Sequence, residues 1–408
     1  MEPYPEISFD NTAIAFAHRS DKELRQAHWL FSMMAMPWLV KLGVKLTPWS
    51  IKSGLPVKGI IRKTIFKHFV GGETLEEIIP VAQKLAQHNV KAIIDYGVEG
   101  KEGEDAFDQA RDEFIRVIRF AATQPNVPFM SIKVTGFARF GLLERLDEFM
   151  QKTSGSLISR YQSALMQISA EELNEWTRVT ERMKTICDAA AQSNVGFLVD
   201  AEETWIQDPV DALTMLMMEE YNKQRLIVYN TIQLYRHDRL AFLKQCYSLS
   251  REKEFLLGVK LVRGAYMEKE RKRAIEKGYP DPIQPNKEAS DRDFNEAVRF
   301  CVEHLDKIGL VVASHNEYSN LVTTQLLKEK NLPLNHPHVH FSQLFGMSDN
   351  ITYNLAKAGC SVSKYLPFGP IEDVIPYLMR RAQENTSVGG QTTRELGLIK
   401  KEIGRRKQ

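Results

Sequence analysis

The sequence predicts an α/β protein, a TIM-type (β/α)₈ barrel with an N-terminal helical region. Three observations carry that reading. Short apolar, β-branched runs recur eight times from about residue 90, longer amphipathic stretches separate them, and no G-x-G-x-x-G follows any run. The first two imply parallel strands joined by crossover helices, since a parallel pair needs a long connection. The third removes the main support for a dinucleotide-type doubly wound sheet. Eight such units over roughly 300 residues suit a closed barrel better than an open sheet.

Residues 1–85 read as a helical region. Val57, Ile60, Ile61, Ile65, Phe66 and Phe69 recur at helical spacing, with Lys58, Arg62, Lys63 and Lys67 mainly between them. Packing against the main body explains the pattern; so does a basic amphipathic element on an anionic membrane surface. The predicted strands are Val90–Tyr96, Phe129–Val134, Val195–Val199, Leu226–Ile232, Leu256–Val262, Leu310–Ser314, His338–Leu344 and Cys360–Leu366. Helical patterns between them include Glu104–Ala122, Glu171–Ala191, Asp291–Ile308 and Glu372–Glu384. The barrel is expected over residues 86–395, followed by a basic tail, 396–408, that holds Arg405, Arg406 and Lys407. Gln151–Ala170, rich in Ser and Gln, lengthens one connection, as a lid or as an ordinary surface insertion.

The 408 residues are 43% apolar and 26% charged, as in a soluble protein with a sizeable core. A net charge of +2 gives no whole-molecule attraction to nucleic acid. Cys187, Cys246, Cys301 and Cys360 form no C-x-x-C, which points to a reducing compartment and away from a disulfide or zinc framework. The start, Met-Glu-Pro, shows no targeting signal, and apolar Trp29–Val40 falls short of the ~20 residues a bilayer span needs. A cytoplasmic protein is expected, at most peripheral on an inner membrane.

In such barrels the reacting groups leave the C-terminal ends of strands. Strand two ends at Lys133, strand three at Asp200, Ala201, Glu202 and Glu203, and strand four at Gln233. Strand five runs through Lys260 to Arg263, Gly264, Ala265 and Tyr266. Strand six delivers Ser314, His315 and Asn316, strand seven Gln343 and Leu344, and strand eight Lys364 and Tyr365. Polar groups leaving successive strands at one rim argue against a blank scaffold. Gly264-Ala265 alone is a plain strand-end turn. With Arg263 and His315 beside it, the pair suits close approach to a phosphate-bearing cofactor.

Gly369-Pro370 opens the last helix, and Pro376 kinks it or marks its first turn. At about 100° per residue, Tyr377, Arg380, Arg381 and Glu384 share an arc of about 100°, while Val374, Ile375, Leu378 and Ala382 take another side. Two guanidiniums there can converge on one carboxylate, with Glu384 holding one of them. A solvated helix face is the ordinary alternative; Tyr365 just upstream supplies an aromatic wall and favours the pocket. His336, His338 and His340 alternate but start strand seven, the wrong end for a catalytic metal, so structural or surface roles are expected.

Together these residues resemble the proline dehydrogenase family, in its monofunctional branch. The matching stretches are Phe69–Thr74 (FVGGET), Val199–Glu203 (VDAEE), Lys260–Tyr266 (KLVRGAY) with Glu268–Ala274 behind it, Val312–Glu317 (VASHNE), Gln343–Met347 (QLFGM) and Lys364–Asn385. The resemblance implies a distorted (β/α)₈ barrel that binds FAD and oxidises L-proline to Δ1-pyrroline-5-carboxylate. Electrons would pass to a membrane quinone, and a separate pyrroline-5-carboxylate dehydrogenase would take the product onward. It also implies that Lys133, Arg380 and Arg381 pair with the proline carboxylate, with Glu384 ordering the arginines. Tyr266, Leu344, Tyr365 and Tyr377 would wall in the ring. Ala201, Gln233, Arg263, Gly264, Ala265, Ser314 and His315 would hold FAD, and Asp200 and Lys260 would form the inner polar network. Lys260 stands where other branches have arginine, and Met267 where some have tryptophan. A hydroxyproline dehydrogenase of the same fold, a metal-dependent barrel hydrolase and a non-catalytic carboxylate-binding barrel are the alternatives.

Overall fold

The computed structural model describes residues 6–36, 38, 59, 61–97, 101–387 and 391–408, the side chains at 382–387 and 391 excepted. Eight parallel strands close a barrel in sequence order. They are β1 (Lys91–Tyr96), β2 (Phe129–Ile132), β3 (Gly196–Val199), β4 (Val228–Gln233), β5 (Leu257–Val262), β6 (Ile308–Ala313), β7 (Val339–Leu344) and β8 (Val362–Phe368). Each bound lies within two residues of the predicted one. The helices before β2 are α1 (Thr12–Ala15), α2 (Asp21–Met34), α3 (Leu75–Ala86) and α4 (Glu104–Ala122), with a π-helical turn at Arg62–Phe66. Between β2 and β5 lie α5 (Phe140–Gln151), α6 (Leu157–Leu165), α7 (Ala170–Ser193), α8 (Thr204–Tyr221) and α9 (Arg239–Glu252). The remainder are α10 (Met267–Lys277), α11 (Lys287–Glu303), α12 (Glu317–Glu329), α13 (Asp349–Lys357), α14 (Ile371–Ser387) and α15 (Gln391–Arg405).

The chain forms two compact units, one of residues up to 97 with 341–408 and one of residues 98–340. In the second, β2 to β6 pair in parallel register, with Ser131 beside Leu198 and Thr231 beside Lys260. The Ser/Gln-rich stretch is a packed helical insertion rather than an open lid. Ser156 caps α6, which packs on α5 and α8. Its buried Tyr161 accepts a hydrogen bond from Trp176 Nε1 at 2.6 Å, and Arg160 Nη1 reaches Asp208 at 2.6 Å. Ser169 and Glu172 then make a capping box that starts α7.

In the first unit β1 and β7 pair with β8. Val57, Lys58 and Ile60 lie outside the described residues. Ile61, Ile65, Phe66 and Phe69 turn into a core shared with Phe16, Leu24 and Phe31 and with Val374, Leu378, Leu398 and Ile399. The described apolar face is therefore occupied by protein, while Lys63 and Lys67 stay exposed. The expected basic tail is helical as far as Arg405 and docks on α2. Its Leu398 and Ile399 are buried in that core, and its arginines are tied down. Arg405 and Arg406 each pair with Glu402 at 2.8 Å, and Arg406 also bonds Asp21 and the Phe16 carbonyl, both at 2.8 Å. Among the described residues, no helix is long and apolar enough to cross a membrane.

Candidate active site

Period-two alternation along β2 puts Ser131 and Lys133 on one face. Asp200, just past β3, gathers both with Lys260 of β5. Ser131 Oγ donates to Asp200 Oδ1 at 2.5 Å, Lys260 Nζ donates to the same oxygen, and Lys133 Nζ lies 3.8 Å from Oδ2. Burial pushes the Asp200 carboxyl up, but Lys260, Lys133 and the Ser131 bond outweigh it and hold it at about 2. A carboxylate that acidic is a poor proton acceptor at neutral pH. Its use is to hold two ammonium groups in place.

Gln233, buried at the end of β4, donates from Nε2 to the Glu202 carbonyl at 2.9 Å. That bond fixes the amide, and its buried Oε1 has no partner among the described residues. The site thus presents an acceptor that calls for an N–H or O–H from a ligand. Glu202 is itself pinned, since its carboxylate accepts from Thr135 Oγ1 at 2.8 and 2.9 Å and its N–H donates to Gln207 at 2.9 Å. Ala201 therefore sits in a backbone stretch held on both sides.

Arg263 braces β5 against α11 and α12. It donates to Asp291 at 2.7 Å, to Ser314 Oγ at 2.8 Å and to Ser319 Oγ at 2.9 Å, and it lies over the Phe294 ring. Burial lowers its pKa, with Asp291 opposing. Ser314 also accepts the Asn316 N–H at 3.1 Å, which leaves half-buried His315 on a fixed turn. Gly264 has φ +145°, and a Cβ there would stand 2.4 Å from the Tyr235 ring. Gly264 and Ala265 are exposed and Tyr266 half-buried, so this backbone is open to a ligand. Gly264→Ala is expected to lose about 2–4 kcal/mol of stability from strain and overpacking. A shift in the denaturant midpoint at constant slope would measure it; no shift would remove the steric argument.

In the other unit, Leu344 of β7 and Tyr365 of β8 are direct cross-strand partners, and the Phe345 N–H donates to the Tyr365 carbonyl at 2.9 Å. Lys364 does not join the rim expected of it. Successive strand residues point opposite ways, and Lys364, 1% exposed, donates to the Met347 carbonyl at 2.5 Å and pairs with Asp349 at 2.9 Å. Pro376 sits inside α14 rather than in its first turn. Val374, Tyr377 and Leu378 of α14 are core residues. Arg381 is only 5% exposed, its guanidinium carbon 4.9 Å from the centre of the Tyr377 ring, and Arg380 is half-buried. The arginine pair is thus no solvated face. The Glu384 side chain lies outside the described residues.

The alternating histidines have structural partners. His338 Nδ1 is 2.6 Å from the Leu305 carbonyl, and buried His340 meets Phe129 edge-on at 5.0 Å.

Comparison with known proteins decides the family. The proline dehydrogenase family model matches residues 78–394. The chain belongs to the proline dehydrogenase family. It is 33% identical over 381 residues to a mitochondrial proline dehydrogenase 1 of Dictyostelium discoideum, covering 86% of this chain and 66% of that one. It is 31% identical to a hydroxyproline dehydrogenase of Xenopus laevis, over 98% of this chain and 90% of that one. Among solved structures, proline utilization A from Bdellovibrio bacteriovorus, inactivated by N-propargylglycine, superposes with a TM-score of 0.69 at 19% identity. That overlap covers 93% of this chain but 37% of the larger protein, and at such identity it speaks to the fold alone. Within this proline dehydrogenase barrel, Ser131, Thr135, Asp291 and Ser319 orient the site residues without belonging to any motif. For Ser131 the signal available was its alternation with Lys133; for the others there was none.

Proposed function

We propose that this chain is an FAD-dependent proline dehydrogenase that converts L-proline to Δ1-pyrroline-5-carboxylate. The same reading has a membrane quinone accept the electrons and a separate pyrroline-5-carboxylate dehydrogenase consume the product. The observation that carries it is a buried arginine, Arg381, on the helix after β8 of a barrel from this family. Held over the Tyr377 ring, its guanidinium can offer a planar pair of donors to an amino-acid carboxylate.

The polar groups described suit a flavin. Gln233 Oε1 is a buried acceptor for a ring imide N–H, and the Gly264-Ala265 backbone is open to a flat or phosphorylated group. Arg263, Ser314 and His315 supply donors for phosphate oxygens, and Ala201 lines the same strand ends. When bound, FAD supplies the two-electron acceptor for hydride leaving the ring carbon beside the substrate nitrogen. The chain's own work is orientation. Arg380, Arg381 and Lys133 neutralise the carboxylate, and Glu384 orders the arginines. Tyr266, Leu344, Tyr365 and Tyr377 exclude water from the ring. Asp200 holds Lys260 in place. The amine lone pair drives hydride departure and its proton leaves to solvent, so no nucleophile is required. Peripheral contact with an anionic membrane, through exposed Lys63 and Lys67, belongs to the same proposal.

The Xenopus relative favours one second reading, a hydroxyproline dehydrogenase. The bulk of Tyr365 opposes it, because a hydroxyl on the ring's far side needs room. The purified protein should show a flavin absorption spectrum that bleaches on adding proline, and should turn over proline faster than 4-hydroxyproline. A colourless protein would sink the proposal; a large preference for the hydroxylated substrate would replace it with the second reading.

A further inference from the structure

The loop that follows Leu344 is held at successive backbone positions by residues from three other parts of the chain. The Phe345 N–H donates to the Tyr365 carbonyl at 2.9 Å. The Gly346 carbonyl is 2.9 Å from His68 Nε2, and at φ +79° a Cβ on Gly346 would strike the His68 carbonyl at 2.3 Å. The Met347 carbonyl accepts from Lys364 Nζ at 2.5 Å, and the Ser348 N–H donates to Glu395 of α15. Asp349 closes the set. Its Oδ1 is 2.9 Å from Lys364 Nζ, and its Oδ2 accepts from Arg19 Nε at 2.9 Å and Nη2 at 2.7 Å. His18 Nε2 stands 3.4 Å from that same oxygen, with the His18 ring stacked on Tyr353.

The chemistry of this cluster is that of a fastening. Asp349 and Lys364 are buried, and a buried charge is tolerated only with its partner in place. Burial alone would raise the Asp349 carboxyl; Lys364 and Arg19 instead hold it well below the ordinary carboxylate range. The residues joined come from the α1–α2 connector, the β7–α13 loop and β8. Arg19 and His68 also precede the residues that match the family model, 78–394, so an N-terminal segment outside that match reaches the strands carrying Leu344 and Tyr365.

We propose that Asp349, bridging Arg19 and Lys364, is a positioning residue for substrate binding: it sets the β7–α13 loop and thereby the cross-strand pair Leu344–Tyr365. This rests on the reading above that Leu344 and Tyr365 wall in the substrate ring. Releasing Asp349 loosens that wall and leaves the hydride-transfer groups as they were. Its mark is a rise in KM without a matching fall in kcat.

The test uses the flavin-loaded full chain with Asp349→Asn, Arg19→Met and Arg19→Lys. Proline KM and kcat are measured, together with calorimetric binding of cyclopentanecarboxylate, which lacks the amine that drives hydride departure. Asp349→Asn should raise KM and weaken analogue binding by about tenfold, with kcat within about twofold. Arg19→Met should do the same to a smaller degree, and Arg19→Lys should recover most of the loss. Should Asp349→Asn fail to fold, the two Arg19 variants carry the test. Unchanged KM and analogue affinity in folded, flavin-loaded variants would overturn the proposal, as would a fall confined to kcat. A wild-type protein that neither oxidises proline nor binds the analogue would overturn the functional reading itself. Active wild type with unaffected variants would overturn only this inference.

Discussion

Replacing Arg381 by methionine is expected to cut kcat/KM for proline by about 10²–10³, with little loss of stability. Methionine keeps most of the buried volume against Tyr377, so packing survives. What goes is a planar pair of donors to a carboxylate. Hydrogen bonds to charged groups contribute roughly 1.5–3 kcal/mol each, so losing two near the lower end of that range costs about 3–4 kcal/mol, or two to three decades. Arg381→Lys keeps the charge and loses the fork, and should fall between wild type and Arg381→Met. Steady-state kinetics divide the effect: a rise in KM alone means uniform binding, and an equal fall in kcat means contact made in the transition state. Arg381→Met within threefold of wild type would remove Arg381 from the carboxylate site.

Asp200→Asn carries the second large effect, on stability and with a pH signature. The Asp200 carboxyl is held at about 2 against an ordinary 3.8, a depression that corresponds to about 2–3 kcal/mol. Because the folded value is the lower one, that stability is present above about pH 4 and lost as pH falls through about 2. The substitution also strands the buried Lys260 ammonium, so the cost at pH 7 should reach about 3–5 kcal/mol. Denaturant midpoints of both proteins, followed downward from pH 7 while both remain folded, should converge as Asp200 protonates. A pH-independent difference would mean that the charge on Asp200 contributes little.

The strands were legible because fully buried parallel strands read as continuous apolar, β-branched runs, as at Leu310–Val312. Helix α4 was legible because Phe107, Phe114, Val117 and Ile118 keep one face. Errors came where a residue serves a second purpose. The predicted last strand stops at Leu366, yet β8 runs on through Pro367, whose carbonyl accepts the Gly71 N–H at 2.8 Å. The serines around α6 read as loop, yet Ser156 and Ser169 are N-caps. The Lys/Arg-rich end read as a tail, which hid the buried pair Leu398 and Ile399. Site residues at strand ends were found by their place in the barrel. Their holders were not, because Ser131 and Asp200 stand 69 residues apart and Arg19 and Asp349 330 apart. No period in the sequence records contacts at such separations.

The same long-range closures set an order on how the chain can be built. The core around Phe16, Phe31 and Phe69 is completed by Val374, Leu378, Leu398 and Ile399, and one edge of β1 is paired by β8. A ribosome adding about 5–20 residues per second needs on the order of 15–60 s between these parts. For that interval the helices around Phe16, Phe31 and Phe69 keep an uncovered apolar surface, and one edge of β1 stays unpaired. Residues 98–340 form a contiguous unit that can collapse in the meantime. The helices around Phe16, Phe31 and Phe69 are thus made long before the residues that cover them, and the wait is when they most need shielding from other chains.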